Sequence, residues 1–162
     1  MNVWVVSASK YGSTREVAAA IADRLSAAHH QVRILDAGEI DSFTGADAVV
    51  LGSAIYAGHW LKPAQQLLDG HAEELASRPT WLFSVGPLGD PPMPHDVGPE
   101  GISEAIEATR ARTHEVFTGK LDRAVLSRIE RLMATALHAP EGDFRDWEAI
   151  RAWADGVAAE LA

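Results

Sequence analysis

Short apolar runs alternate with longer amphipathic stretches along most of the chain. Five runs have the length and composition of strands: Val3 to Val6, Val32 to Leu35, Ala48 to Leu51, Trp81 to Val85 and Glu115 to Thr118. Strands that alternate with helices are typical of a parallel α/β sheet. The first and third runs are apolar at nearly every position, which predicts central strands covered by helices on both faces.

The stretch after the first run predicts a helix with one buried side. Its apolar residues fall three or four positions apart, at Val17, Ile21, Leu25 and Ala28. That spacing places them on one face of a helix. The preceding segment, Ser13 to Glu16, has the order of a capping box, so we expect the helix to begin there.

Two further amphipathic helices follow the fifth run. The predicted apolar face of the first carries Leu126, Ile129, Met133 and Leu137, and that of the second carries Trp147, Ile150, Ala154, Val157 and Leu161. Asp143 is a predicted N-cap of the last helix, with Asp146 in its first turn. The arginines at 123, 128 and 131 favour a solvated helix face over a specific docking patch.

Length and charge narrow the class of protein. The 162 residues, 47% of them hydrophobic, suit a single globular domain over 1–162. With no cysteine, disulfides and thiolate metal sites are excluded. A net charge of -9 opposes binding to nucleic acid and leaves at most peripheral membrane contact. The segment from Met1 to Val6 lacks a basic region and a long apolar run, so we expect a cytoplasmic protein.

The loop after the first strand has the features of an anion site. In an open parallel sheet, ligands bind beyond the carboxyl ends of the strands. This loop is rich in hydroxyls, contains one glycine and runs into a helix N-terminus, and it consists of Ser9, Lys10, Tyr11, Gly12, Ser13 and Thr14. Backbone amides and the helix dipole at such a terminus attract phosphate. An ordinary strand–turn–helix junction explains the same residues.

The loops after the third and fourth strands could face a flat ligand. The first contains Tyr56, His59 and Trp60 around Gly58, which suggests an aromatic ligand; alternatively the rings cover the top of the core. The second begins at Ser84 and continues into a proline-rich stretch over 86–101, either a functional loop or a floppy one. Glycines there would allow close approach of the backbone to a ligand.

Other catalytic and metal-binding motifs are missing from the sequence. The seven histidines have no tight ligand spacing such as H-E-x-x-H, so we expect no metal site. The chain has no G-x-S-x-G, Walker loop or G-x-G-x-x-G, and hydrolase, P-loop and Rossmann dinucleotide functions lack support. No catalytic residue is assigned.

Together the three loops resemble those of the flavodoxin-domain proteins, in particular the branch that includes the menaquinone-dependent protoporphyrinogen oxidases. The loop from Ser9 to Thr14 is similar to the family's T-x-T-G-x-T phosphate loop, with Tyr11 where flavodoxins commonly have Thr. The segment from Gly52 to Trp60 resembles the first flavin loop, and Asp146 to Glu148 the C-terminal signature. The resemblance covers nearly the whole chain.

This resemblance implies an FMN site with defined contacts. Ser9, Lys10, Tyr11, Gly12, Ser13 and Thr14 would hold the phosphate. One side of the isoalloxazine would be lined by Ser53, Ala54, Ile55, Tyr56, Ala57 and Gly58, and the other by Ser84, Val85, Gly86, Pro87, Leu88, Gly89 and Asp90. Gly58 would permit the backbone conformation that approaches flavin N5, and Tyr56 and Trp60 would form an aromatic wall.

The resemblance also implies a fold and a function. We expect a flavodoxin-like three-layer α/β sandwich with a five-stranded parallel sheet of order 2-1-3-4-5. The favoured function is an FMN-dependent oxidoreductase that exchanges electrons with a planar substrate such as a quinone or porphyrinogen. Two alternatives stay open, an electron carrier that docks a redox protein and a binding module without FMN. The sequence does not specify the substrate, the potentials or the oligomeric state.

Overall fold

The protein has a main sheet of parallel strands with helices on both faces. The computed structural model describes residues 1–86, 98–121, 124, 126–136 and 142–162. The strands are β1 (Asn2–Ala8), β2 (Gln31–Asp36), β3 (Ala48–Tyr56), β4 (His59–Trp60), β5 (Thr80–Val85), β6 (His114–Phe117), β7 (Lys120–Leu121) and β8 (Gly142–Asp143). The helices are α1 (Ser13–Ala27), α2 (Lys62–Gly70), α3 (Ala72–Ala76), α4 (Ile102–Thr109), α5 (Arg128–Ala136) and α6 (Trp147–Leu161).

The strand order of the main sheet is β2-β1-β3-β5-β6. These are the five predicted strands in the predicted order 2-1-3-4-5, and all their pairings are parallel. The two-residue strand β4 adds an antiparallel hairpin to β3, and β7 pairs with β8 in a separate ribbon. Among the described residues, no helix is long and apolar enough to span a membrane.

Alternate residues of the central strands enter two cores on opposite faces of the sheet. Val3 and Val5 of β1 pack with α1 and α6, while Trp4 and Val6 pack with α2 and α3. This alternation follows from the two-residue period of a strand. The uniformly apolar runs therefore lie at the centre of the sheet, as predicted.

The start and end of α1 differ from the prediction. No side chain caps the helix, because the chain enters it through Gly12, whose φ of 90° lies in the left-handed region. Ser13 is thus the first helical residue and not a capping residue. The buried stripe includes Val17 and Leu25 but ends before Ala28, which is exposed at the C-cap.

The predicted apolar face matches the buried face in α6 but not in α5. The predicted apolar face of α6 is buried except at Trp147, which is partly buried. Asp146, not Asp143, is its N-cap, since its carboxylate accepts the Ala149 amide at 3.0 Å. In α5, however, Ile129 is 73% exposed, because the side of the helix that contacts the rest of the protein carries Glu130 instead. The predicted face residue 137 lies outside the described residues.

Candidate functional site

Three loops meet at the carboxyl edge of the sheet. They follow β1, β3 and β5, which are neighbours in the sheet order. The chain reverses direction across the sheet between β1 and β3, since β2 lies on one side of β1 and β3 on the other. In doubly wound sheets this switch point is where ligands bind.

The loop between β1 and α1 is shaped by its own polar groups. Ser9 Oγ accepts the Gly12 amide at 2.9 Å, and the Gly12 carbonyl accepts the Glu16 amide at 3.0 Å. These bonds direct the chain from the end of β1 into the first turn of α1. The first amides of a helix have no partner within the helix, so those at Ser13 and Thr14 can bind an anion.

Thr14 carries a hydroxyl whose placement the fold alone does not explain. The side chain is fully buried, and its Oγ1 has no hydrogen-bond partner among the described residues. Burying an unpaired hydroxyl costs about 1–3 kcal/mol. The atom lies in the first turn of α1, where its hydroxyl could donate a hydrogen bond to a bound anion. A Cβ built on Gly12 meets nothing within 4 Å, so the space beside this turn is open. These residues fit a phosphate.

The β3–β4 hairpin forms the second loop of the site. Its turn residues Ala57 and Gly58 have φ values of 51° and 81°. The Ser53 hydroxyl donates to the Ala54 carbonyl at 2.8 Å and accepts the Leu61 amide at 2.9 Å, which fixes the base of the hairpin. Ser53 is therefore bonded within the protein, while the turn itself projects from the sheet.

Only one of the two aromatic residues of this hairpin is exposed. Tyr56 is 40% exposed, whereas Trp60 is 5% exposed and lies in the core. The prediction that Trp60 forms part of an aromatic wall is therefore wrong. Its indole is buried because Nε1 donates to Ser84 Oγ at 2.8 Å, so the polar edge of the ring is satisfied inside the protein.

A buried hydrogen-bonded chain joins the hairpin to β5 and β6. Ser84 Oγ accepts from Trp60 and lies 2.7 Å from His114 Nε2. Burial lowers the pKa of His114 to about 4, so the imidazole is neutral and its Nε2 can accept the Ser84 proton. Ser84 is fully buried and acts within the protein, holding the hairpin against the end of β5.

Ser84→Ala should reduce the free energy of unfolding by about 1–3 kcal/mol. The substitution leaves Trp60 Nε1 and His114 Nε2 without their shared partner. Urea unfolding measures the change, and Ser103→Ala, at an exposed position of α4, is the matched control. Equal loss in both variants would show that the chain of hydrogen bonds contributes nothing.

The third loop begins at Val85 and Gly86. Val85 is buried, and the Gly86 amide donates to the Phe117 carbonyl at 2.9 Å. A Cβ built on Gly86 would lie 3.6 Å from the Ile55 Cβ, so this loop and the hairpin approach each other closely. The other predicted residues of this loop, 87–90, lie outside the described residues.

Glu130 of α5 contacts both the β1–α1 loop and the β3–β4 hairpin. Its Oε2 accepts from Lys10 Nζ at 2.9 Å, from the Tyr11 hydroxyl and from the Tyr56 hydroxyl at 3.4 Å. The hydrogen bonds from Tyr11 and Lys10 lower the pKa of Glu130 to about 2. No sequence motif identified this residue, because the bonds join positions far apart in the chain.

The start of α6 is anchored beside the start of α1. Arg145 binds both carboxylate oxygens of Asp143 at 2.8 and 2.7 Å and Glu16 at 2.7 Å, and it lies over the Trp147 ring. The hydrogen bond from Arg145 lowers the pKa of Asp143 to about 2.

Within the part of the chain that the structure describes, no group of His, Asp and Glu residues could hold a metal ion.

Comparisons with known proteins show which family the chain resembles. A family model described as the flavodoxin domain matches residues 4–147. The chain is 29% identical over 87 residues to protoporphyrinogen IX dehydrogenase (quinone) of Escherichia coli strain K12. That match covers 52% of this chain and 48% of the relative, so it spans about half the length of the relative.

Solved flavodoxins share the fold over the whole chain. Oxidised flavodoxin 1 from Bacillus cereus superposes with a TM-score of 0.68 at 12% identity and covers 100% of both chains. A flavodoxin from the domain Archaea superposes with a TM-score of 0.65 at 17% identity and covers 99% of both. With the family model matching most of its length, the chain belongs to the flavodoxin domain family.

Proposed function

We propose that the protein binds FMN at the carboxyl ends of β1, β3 and β5 and uses it to exchange electrons with a planar substrate such as a quinone or porphyrinogen. The observation that carries the cofactor is the buried, unpartnered Oγ1 of Thr14 in the first turn of α1. A phosphate at this helix N-terminus would accept hydrogen bonds from the Thr14 hydroxyl and from the first amides of the helix.

Each loop would have its own task. The loop from Ser9 to Thr14 would bind the phosphate, with Ser13 and Thr14 donating hydroxyl and amide hydrogens. The hairpin residues 54–58 would lie along one side of the isoalloxazine, with Tyr56 as the exposed ring, and the loop that begins at Gly86 along the other. Ser53 and Ser84, predicted to line the flavin, are buried and bonded within the protein, so they would support these loops from below. Bound FMN would supply the redox chemistry, while the chain positions it and sets its surrounding charge.

The proposed substrate class is supported by the name of the Escherichia coli relative, which specifies protoporphyrinogen IX and a quinone. A flavodoxin-type electron carrier is the second candidate, favoured by the full-length likeness to flavodoxins and by the net charge of -9, which would suit a basic redox partner. The single-domain organisation and the cytoplasmic location stay predictions.

Titration of the apo chain with FMN and with riboflavin tests the site. FMN should bind at least about tenfold more tightly than riboflavin, because only FMN brings a charged phosphate to the α1 N-terminus. Quenching of flavin fluorescence measures both affinities. Equal affinities would exclude the proposed phosphate site.

Steady-state turnover with a quinone or porphyrinogen then separates the enzyme from the carrier, which would exchange electrons only with a redox protein.

Gly58→Ala should shift the midpoint potential of the bound flavin on the order of tens of millivolts. Gly58 has a φ of 81°, and an added Cβ would meet nothing within 4 Å, so the substitution strains the backbone without a steric clash. The strain should fall unequally on the oxidation states, whereas the affinity for oxidised FMN should change little. Potentiometric titration measures the shift.

Gly70→Ala, at the end of α2, is the matched control, since it adds the same methyl in open space without a positive φ. It should leave the potential unchanged. Identical potentials for Gly58→Ala and wild type would show that the hairpin turn does not influence the flavin.

A further inference from the structure

One carboxylate joins the two loops of the candidate site. Glu130 accepts hydrogen bonds from Lys10 and Tyr11 in the β1–α1 loop and from Tyr56 in the β3–β4 hairpin. We name these four residues the Glu130 clasp. All three side chains donate to a single oxygen, Oε2 of Glu130. Glu130 lies in α5, more than 70 positions away in the chain from each donor.

In the clasp, Glu130 neutralises the positive charge of the β1–α1 loop. Lys10 is the one basic residue between Ser9 and Thr14. Its ammonium forms an ion pair with Glu130 at 2.9 Å and lies 4.7 Å from the centre of the Tyr56 ring. The Glu130 side chain is only 11% exposed, so solvent screens its charge less than it screens that of an exposed carboxylate.

A dianionic ligand at the α1 N-terminus would be affected by this ion pair in two ways. It would lose attraction, because the charge of Lys10 is already compensated by Glu130. It would also be repelled by the carboxylate itself. An uncharged ligand of the same shape would experience neither effect, so the charge of Glu130 acts on the phosphate.

We propose that Glu130 is a specificity-determining residue that restricts the access of a phosphorylated ligand to Lys10 and so limits how strongly the site prefers FMN over riboflavin. This inference rests on the proposed function. Glu130 keeps the loop and the hairpin joined until the ligand phosphate displaces its carboxylate from Lys10.

Glu130→Gln should increase FMN affinity roughly tenfold and leave riboflavin affinity unchanged, because the amide keeps the shape but removes the competing charge. Glu73→Gln is the matched control, with the same change of charge at an exposed position of α3. An FMN affinity that falls, or that rises no more than in Glu73→Gln, would overturn the proposal. Glu130→Asp keeps the charge but has a shorter reach to Lys10, so it should increase FMN affinity less than Glu130→Gln does. It takes the place of the glutamine variant in the test if that variant does not fold.

The clasp can also be measured without a flavin. The chain has two tyrosines, so a Tyr56→Phe background leaves Tyr11 as the one phenol that titrates. Desolvation and the hydrogen bond to Glu130 raise the pKa of Tyr11. Adding Glu130→Gln should lower that pKa, followed by the ultraviolet absorbance of the phenolate. An unchanged midpoint would show that Tyr11 is not bonded to Glu130, and it would overturn the clasp.

Inorganic phosphate separates failure of the clasp from failure of the proposed function. Phosphate should raise the melting temperature of Glu130→Gln more than that of the wild type, because Lys10 is then available to it. A larger response in the variant without any FMN binding would refute the flavin site and keep the clasp. Equal responses in both chains would overturn the clasp.

Discussion

Thr14→Val should weaken FMN binding about 10- to 100-fold, which corresponds to the loss of a hydrogen bond to a charged phosphate worth roughly 1.5–3 kcal/mol. The same substitution should leave the apo chain as stable as the wild type or more stable. Valine has nearly the shape of threonine, and the Thr14 Oγ1 that it removes is buried without a partner among the described residues. Loss of an unpaired buried hydroxyl does not destabilise a fold.

The two effects have opposite signs, and this distinguishes a ligand contact from a structural one. A hydroxyl that served the fold would lower both stability and affinity when removed. Isothermal titration with FMN and urea unfolding of the apo chain measure the two quantities. Unchanged FMN affinity in Thr14→Val would remove the observation on which the cofactor proposal rests.

Thr109→Val is the matched control for Thr14→Val. Thr109 is also fully buried, but its Oγ1 donates to the Ala105 carbonyl at 2.7 Å within α4. Its removal should lower the free energy of unfolding by about 1 kcal/mol and leave FMN affinity unchanged. A loss of FMN affinity in this variant would indicate that any buried Thr→Val change disturbs the site indirectly.

The sequence predicted the parts of the fold that depend on apolar periodicity. The five main strands follow from uniform apolar runs in β1 and β3 and from alternation with amphipathic helices. Their order was implied by the resemblance to the flavodoxin-domain proteins and not by the apolar pattern. The strand β4 was not predicted, because two residues carry no period. The helix start at Gly12 was not predicted either, since a positive φ replaces the side-chain cap that Ser13 suggested.

The positions of the site loops were predictable, whereas the partners of their side chains were not. Strand ends follow from the topology, so the loops after β1, β3 and β5 lie together as expected. Trp60 is a hydrophobic ring with one polar atom, and only the tertiary structure shows that Ser84 satisfies this atom inside the core. Glu130 has the composition of a solvated helix residue, and its contacts depend on how α5 packs.

Gly52→Ala should reduce the free energy of unfolding by about 1–3 kcal/mol. Gly52 lies in β3 directly opposite Phe83 of β5, and the ring of Phe83 covers it. A Cβ built on Gly52 would lie 2.2 Å from the ring Cζ, closer than atoms can approach. Phe83 is fully buried in the core that α1 and α6 cover, so the ring can move only by disturbing its neighbours.

Phe83→Leu should relieve part of this loss, because the smaller side chain leaves room for the new methyl. Urea unfolding of the two single variants and the double variant gives the coupling energy, which should favour the double variant by about 1 kcal/mol or more. Gly156→Ala in α6 is the control: its Cβ would meet nothing within 4 Å, and it should stabilise the chain by about 0.4–1 kcal/mol. Additive changes in stability would show that the ring and the glycine do not share this space. Gly52 directly precedes Ser53, and Phe83 directly precedes Ser84. For this reason Gly52→Ala should also weaken FMN binding.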